Sequence, residues 1–434
     1  MDNNVIKAAL LGLGTVGTGV YKVFQLQAPD MKNKLNADVR IKKILVRNLE
    51  KAAKKVADPS VLTNNWQEII DDPDISIIIE VMGGLKPAGD YIRQALEKGK
   101  YVVTANKDLI AEEGDELIAL AEENKTDILF EAAVAGGIPV IGPLKHSLAA
   151  NYINEIVGIV NGTTNFILTK MTQEHMDFTQ ALKIATDLGY AEADPTADIE
   201  GLDAGRKVAI LASLAFNSKV TFADVYTEGI TQLTPKDIES ADEFGYVIKL
   251  IGLARWTAEG VEARVHPMLI PKSHPLSTVS DSYNALFIHG DAVGDVMFYG
   301  RGAGEMPTAS AIMGDVFDIA RAIACGGRKT ARRATFRKLP VKGIQDSVNR
   351  YFLRLSVENK PGAMATIASV LGNNSVSIQQ VVQKEAHSDQ AEIVVVTDLV
   401  RESHLNDALM TFRGMSVIKS APAMIRVYGK LSGN

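Results

Sequence analysis

Short apolar runs alternate with amphipathic stretches over the first 141 residues. Ile6–Leu11, Val39–Val46, Ile75–Val81, Tyr101–Thr104 and Ile128–Glu131 have the length and apolar content of buried strands. Gly14–Gln27, Gly89–Glu97 and Asp115–Asn124 carry helical spacing between them. The alternation predicts a doubly wound α/β nucleotide-binding domain, of Rossmann type, over residues 1–141. From about Gly142 helix-period segments (Phe178–Leu188, Asp203–Ala215) mix with strand-like runs (Glu155–Val160, Glu262–Leu269, Ala285–His289), which predicts an α+β second domain over 142–325 that builds the substrate site. The loop Gly300–Gly304 and the helix Ser310–Ala324 are expected to bring the chain back to the first domain. Residues 326–349, basic and glycine-punctuated, read as a linker.

The tail, 350–434, reads as β-α-β-β-α-β. Its strands are Tyr351–Val357, Ser377–Gln383, Ala391–Thr397 and Val417–Val427, and its helices Ala363–Leu371 and Glu402–Phe412. That order predicts a compact ferredoxin-like module.

A length of 434 residues agrees with two or three domains. Net charge is −6 with no basic block, which leaves no footprint for nucleic acid. The N-terminus lacks the features of a signal peptide, and no apolar run reaches the ~18 residues a membrane span needs. A cytoplasmic enzyme without a membrane partner is the expectation. Cys325 is the only cysteine, so disulfide scaffolds and cysteine-based zinc sites are excluded; it reads as a small buried apolar residue.

Gly12-Leu13-Gly14-Thr15-Val16-Gly17 follows a strand and opens a helix. In such a fingerprint the first glycine permits the tight turn, the second lets backbone approach a pyrophosphate, and the third lets helix and strand pack closely. An NAD site expects a carboxylate at the end of the second strand. Here Val46 is followed by Arg47 and Asn48. A guanidinium there suits a 2′-phosphate, so NADP is expected, with NAD as the alternative.

Residues 185–207 place five carboxylates (Asp187, Glu192, Asp194, Asp198, Glu200) ahead of a helix bearing Asp203, Arg206 and Lys207. Asp203 and Lys207, four apart, share a helix face. Carboxylates can hold an ammonium while a lysine handles the proton of a carbonyl oxygen, which suits a small zwitterionic substrate. A plain surface ion pair is the competing reading.

The pattern A-xxx-G-Y…D-P-xx-D-I-x-G-x-D-xxx-K across this stretch resembles the homoserine dehydrogenase signature along its whole length. The likeness continues through Gly12–Gly17, Thr104-Ala105-Asn106-Lys107, the run Glu131–Pro139, Asn161-Gly162-Thr163-Thr164-Asn165 and Gly300–Gly304. It implies reduction of aspartate 4-semialdehyde to homoserine, on the route to threonine, methionine and isoleucine. Lys207 is implied as the acid/base lysine and Lys107 as a second lysine near substrate and cofactor. Glu192 and Asp198 are implied as substrate carboxylates, with Asp203 turned to substrate or to Lys207, and Gly302 as part of the cofactor site. The resemblance also implies a structural sodium ion held by Glu131 and the backbone carbonyls of Val134, Gly136 and Ile138. One carboxylate is too little charge for a calcium cage.

The tail resembles an ACT domain, with Glu358–Ala363 at the place where such domains receive small effectors. That implies an amino-acid effector, threonine being the expected one, and a homodimer or homotetramer built by pairing sheets. Truncation near Asp346 is then expected to leave an active enzyme without feedback control. Two other readings stand beside this one. A phosphorylating semialdehyde dehydrogenase needs a thiolate, and Cys325 has no histidine near it in sequence. A non-catalytic amino-acid sensor is opposed by the intact glycines, both lysines and the acidic stretch.

Overall fold

A computed structural model describes residues 5–35, 37–326, 336–384, 389–420 and 422–429. The first domain runs β1 (Val5–Leu11), α1 (Thr15–Leu35), β2 (Asp38–Leu45), α2 (Leu49–Ala53), β3 (Leu62–Thr63), α3 (Gln67–Ile70), β4 (Ile75–Glu80), α4 (Ala88–Glu97), β5 (Tyr101–Thr104), α5 (Lys107–Glu123) and β6 (Ile128–Leu129). Its six strands form a parallel sheet in the order β3-β2-β1-β4-β5-β6. Strand order reverses between β1 and β4, so the carboxyl ends of these strands flank the crevice where such sheets bind ligands. Helix α5 starts eight residues before the expected Asp115. The Asn106 side chain accepts from the Leu109 N–H (3.2 Å) and caps it, which places Lys107 in the first turn. The strand expected over Ile128–Glu131 stops at Leu129, and Glu131 opens a single 3₁₀ turn.

The second domain comprises α6 (Ile141–Lys145), β7 (Ile153–Ile159), α7 (Gly162–Gln173), α8 (Phe178–Asp187), α9 (Thr196–Ile199), α10 (Leu202–Phe216), β8 (Tyr226–Thr227), α11 (Pro235–Glu243), β9 (Tyr246–Thr257), β10 (Gly260–Pro271), β11 (Tyr283–Gly290), β12 (Gly294–Arg301) and α12 (Glu305–Ala324). Sequence patterning missed α7, α11, β9 and β12. Helix α7 is buried over Thr163–Thr169 and so lacks an amphipathic stripe. Strand β9 hides its pattern because Lys249 is buried within it. Helix α12 packs on α1, where Ala309, Ile312, Val316 and Ile319 share a core with Val20, Val23 and Phe24. Cys325 follows α12 as its C-cap and is exposed, contrary to the expected burial, because it lies beyond the face that meets α1.

The tail forms β13 (Val348–Glu358), α13 (Ala363–Asn373), β14 (Ile378–Gln383), β15 (Gln390–Thr397), β16 (Val400–Arg401), α14 (Glu402–Arg413) and β17 (Ala423–Val427). Its order β17-β13-β15-β14 is ferredoxin-like, but the sheet does not stand alone. Strand β17 pairs in parallel with β10, Met268 opposite Arg426 and Leu269 opposite Val427. One eleven-stranded sheet therefore runs through both regions. Phe352, Val394, Val396, Ile425 and Val427 belong to the core of the second domain.

The segment expected as a linker departs from that reading where it is described; residues 327–335 lie outside the described residues. Arg337 bridges to Ser218 and Val341 to Val261, and the Lys342 N–H donates to the Val261 carbonyl (2.8 Å). Backbone groups along the start of β10 need partners, and this segment supplies them. No helix among the described residues is long and apolar enough to cross a membrane.

Candidate active site

At the end of β1, Gly12 adopts a φ of +102° and donates its N–H to the Leu45 carbonyl (3.0 Å), which turns the chain sharply into α1. A Cβ on Gly17 would lie 2.2 Å from the Gly12 carbonyl oxygen, so only glycine fits. A Cβ on Gly14 would meet nothing within 4 Å, and its backbone faces open space. Thr15 and Val16 form the first turn of α1, whose free N–H groups favour an anion. The residues present fit a dinucleotide pyrophosphate.

Arg47 is exposed just past β2, and Asn48 is occupied capping α2 (accepting from the Lys51 N–H, 2.8 Å). The structure adds Lys55, which sequence reasoning missed. Its ammonium donates to the Leu13 carbonyl (3.0 Å) and so lies against the glycine turn from the same side as α2. Gly302 is buried in packing: a Cβ there would lie 2.0 Å from the Asn284 side-chain nitrogen.

The acid–base cluster lies where the two domains meet. Helix α10 carries Asp203 and Lys207 on one buried face. The Lys207 ammonium donates to Asp203 Oδ2 (2.7 Å) and to the Val160 carbonyl (2.7 Å). From the first turn of α5, Lys107 reaches Asp203 Oδ1 (3.1 Å). An ammonium has three donors, and two of those on Lys207 are used, leaving one N–H without a partner among the described residues. Burial opposes the charge on Asp203, but Lys207 and Lys107 outweigh it and hold the carboxyl well below the usual carboxylate range. Burial likewise opposes the charge of Lys107, and Asp203 more than restores it, so its pKa rises. The surface ion-pair reading does not describe this arrangement.

Asn161 precedes α7 as its N-cap. Its side-chain oxygen caps α7 through the Thr164 N–H (2.9 Å), and its amide donates to Asp198 Oδ1 (2.6 Å) and Asp203 Oδ2 (2.9 Å). The capping pattern Asn-Gly-Thr-Thr was the available signal. Burial pushes the Asp198 carboxyl up, only partly offset by this amide. The remaining carboxylates do not converge as expected, because each finds a local partner or solvent. Asp187 pairs with Lys183 (3.1 Å), Asp194 caps the Thr196 N–H (3.1 Å), Glu200 accepts from Thr231 (3.2 Å), and Glu192 is exposed.

Glu131 is buried and accepts three backbone N–H groups, from Val140 (2.6 Å), Ile141 (2.8 Å) and Gly142 (2.6 Å), at the start of α6. Its own N–H donates to Asp315 Oδ2 (2.8 Å), whose carboxyl burial pushes up to about 7. The nearby carbonyls of Val134, Gly136 and Ile138 accept no hydrogen bond from the described residues, although all three residues are buried. The Glu131 carboxylate keeps one lone-pair position beyond its three N–H bonds, and with carbonyls unpartnered among the described residues the donor types suit a monovalent cation.

A family profile described as "Homoserine dehydrogenase" matches residues 139–317, another described as "Homoserine dehydrogenase, NAD binding domain" matches 12–131, and an "ACT domain" profile matches 351–414. A homoserine dehydrogenase of Bacillus subtilis is 43% identical over 98% of each chain. One of Synechocystis is 44% identical over 97% of this chain and 99% of its own. The crystal structure of a homoserine dehydrogenase from Thiobacillus denitrificans superimposes with a TM-score of 0.93 at 40% identity, covering 98% of both chains. A hyperthermophilic archaeal homoserine dehydrogenase in complex with NADPH aligns with 73% of this chain and 97% of its own, at a TM-score of 0.62 and 26% identity. With the glycine cradle and the two-lysine cluster in place, the chain belongs to the homoserine dehydrogenases, NAD(P)-dependent oxidoreductases that act on a CH–OH group.

Proposed function

We propose that Lys207 is the proton donor and acceptor in the interconversion of L-aspartate 4-semialdehyde and L-homoserine. The observation that carries this reading is the Lys207 ammonium, fixed by Asp203 and the Val160 carbonyl with one N–H left over. In the reductive direction Lys207 passes that proton to the aldehyde oxygen as the alcohol forms. When bound, the nicotinamide cofactor supplies the hydride. Lys107 lends positive charge to the oxygen as it becomes an alkoxide, and Asp203 holds both lysines in register. Asp198 receives the substrate ammonium.

NADP is the preferred cofactor on this reading, because Arg47 and Lys55 bring two cations to the end of β2, where no carboxylate follows Val46 directly. Glu131 with the carbonyls of Val134, Gly136 and Ile138 would hold a sodium ion. Gly302 would belong to the cofactor site through the family motif Gly300–Gly304. The loop Glu358–Ala363, where Gly362 turns at a φ of +89° into α13, would take the threonine effector. The enzyme is cytoplasmic and homo-oligomeric on the same reading; the open edge strand β14, with Val381 and Val382 exposed, supports pairing of subunits. The test is turnover of aspartate semialdehyde with NADPH by the wild type and by Lys207→Ala. Equal rates in the two would remove the lysine from the chemistry.

A further inference from the structure

One side chain of the tail strand β17 reaches into the second domain. Arg426 on β17 is 1% exposed. Two of its nitrogens fork onto Glu402 of α14, Nε to Oε2 (2.9 Å) and Nη2 to Oε1 (2.5 Å). Its third nitrogen, Nη1, crosses to Glu228 Oε2 (2.7 Å) in the second domain. Tyr226 donates to the same Glu228 oxygen (3.1 Å), and the Arg426 guanidinium lies over the Tyr226 ring.

Glu228 occupies a strategic place in the backbone. Its N–H is tied to the Val265 carbonyl of β10 (2.8 Å), and the next residues press on the turn that follows α9. The Ile230 N–H donates to the Ile199 carbonyl (2.8 Å), and Thr231 donates to Glu200 (3.2 Å). Gly229 is packed so tightly there that a Cβ would lie 2.2 Å from the Ile199 oxygen. That turn ends at Gly201 (φ +78°) and starts α10. It carries Asp198 on one side and leads to Asp203 and Lys207 on the other.

We infer that Glu228 and Arg426 are positioning residues for the substrate carboxylate Asp198, so that the ACT tail is a structural member of the active site. Arg426 fixes Glu228, Glu228 fixes residues 229–231, and these fix residues 199–201 beside Asp198. A buried, forked guanidinium has one geometry, which transmits the position of β17 without slack. The inference rests on the substrate role of Asp198 proposed above.

The test uses the full-length enzyme and the variants Glu228→Gln, Arg426→Lys and Asp198→Asn. Glu228 is partly exposed and Glu228→Gln leaves the Arg426–Glu402 fork intact, so the fold survives. In Glu228→Gln the KM for homoserine should rise about 2- to 30-fold, the usual span for a contact that acts through others. The KM for cofactor should stay unchanged and kcat should move less than KM. Arg426→Lys, which cannot serve both carboxylates, should shift the same KM in the same direction. The double variant Glu228→Gln/Asp198→Asn should be no worse than Asp198→Asn. A lowered melting temperature with a normal homoserine KM in both single variants reduces the pair to a structural brace and overturns the inference. A normal KM in Asp198→Asn overturns the substrate role and this inference with it. A raised KM in Asp198→Asn beside a normal one in Glu228→Gln overturns the inference alone.

Discussion

At the scale of single residues, one carboxylate organises the buried cluster. Asp203 touches Lys207, Lys107 and Asn161, so both lysines and the cap of α7 are referenced to the same two oxygens. Lys207→Ala should lower turnover by roughly 10²–10⁴-fold, the usual worth of general acid–base catalysis, with cofactor affinity nearly unchanged. Steady-state kinetics with both substrates measure this directly. Arg47→Ala should weaken NADPH by about 1.5–3 kcal/mol, a charge-assisted contact, and leave NADH kinetics alone. An equal loss with both cofactors would show that Arg47 does not read the 2′-phosphate. Asp203 and Lys207 were legible in the sequence because they lie four apart on one helix, and Lys107 and Arg47 because each sits in or beside a short local pattern. Lys55 and Asn161 were not, since the groups they meet lie 42 and up to 42 positions away along the chain.

At the scale of elements, α12 is joined to the loop after β6 by one buried acid. Asp315 accepts the Glu131 N–H, and burial pushes its carboxyl up from an ordinary 3.8 to about 7. Because the folded value is the higher one, its stabilising contribution is complete below pH 3.8 and is lost as pH rises through about 7. Asp315→Asn keeps an oxygen acceptor and removes the ionisation. The melting temperature of this variant, relative to wild type, should therefore be more favourable at pH 8 than at pH 5. A difference that is flat with pH would mean that Asp315 ionises freely in the folded protein. The helix itself is legible in its periodicity, but the pattern starts at Ser310, five residues after the helix begins at Glu305. Only the packing of Glu305 against Gly19 and its ion pair with Lys22 (2.6 Å) define that end.

At the scale of the whole molecule, the tail is an extension of the catalytic sheet. Cutting the chain after Asp346 would strip β17 from β10, remove Phe352 from its edge-on contact with Phe244, and leave Glu228 without Arg426. Exposed strand edges and uncovered apolar surface favour aggregation. The truncated chain should melt at lower temperature and associate on size-exclusion chromatography. A soluble truncation with full-length stability and kinetics would restore the freely detachable module that the sequence led us to expect.

Hydrophobic period, glycine spacing and the 185–207 pattern were enough, without coordinates, for the parallel nucleotide sheet, the ferredoxin-like tail and the family. All of these are local: a strand, turn or helix face writes its demands into neighbouring residues. Tertiary structure alone decided which carboxylates meet. Of the five before α10, Asp198 joins Asp203 through Asn161, while Asp187, Asp194 and Glu200 turn to other partners. It also decided that β17 closes onto β10, because strand pairing leaves no mark on either sequence when the partners are some 150 residues apart in the chain. Backbone hydrogen bonding can join any two edges, and only the packed core selects the pair.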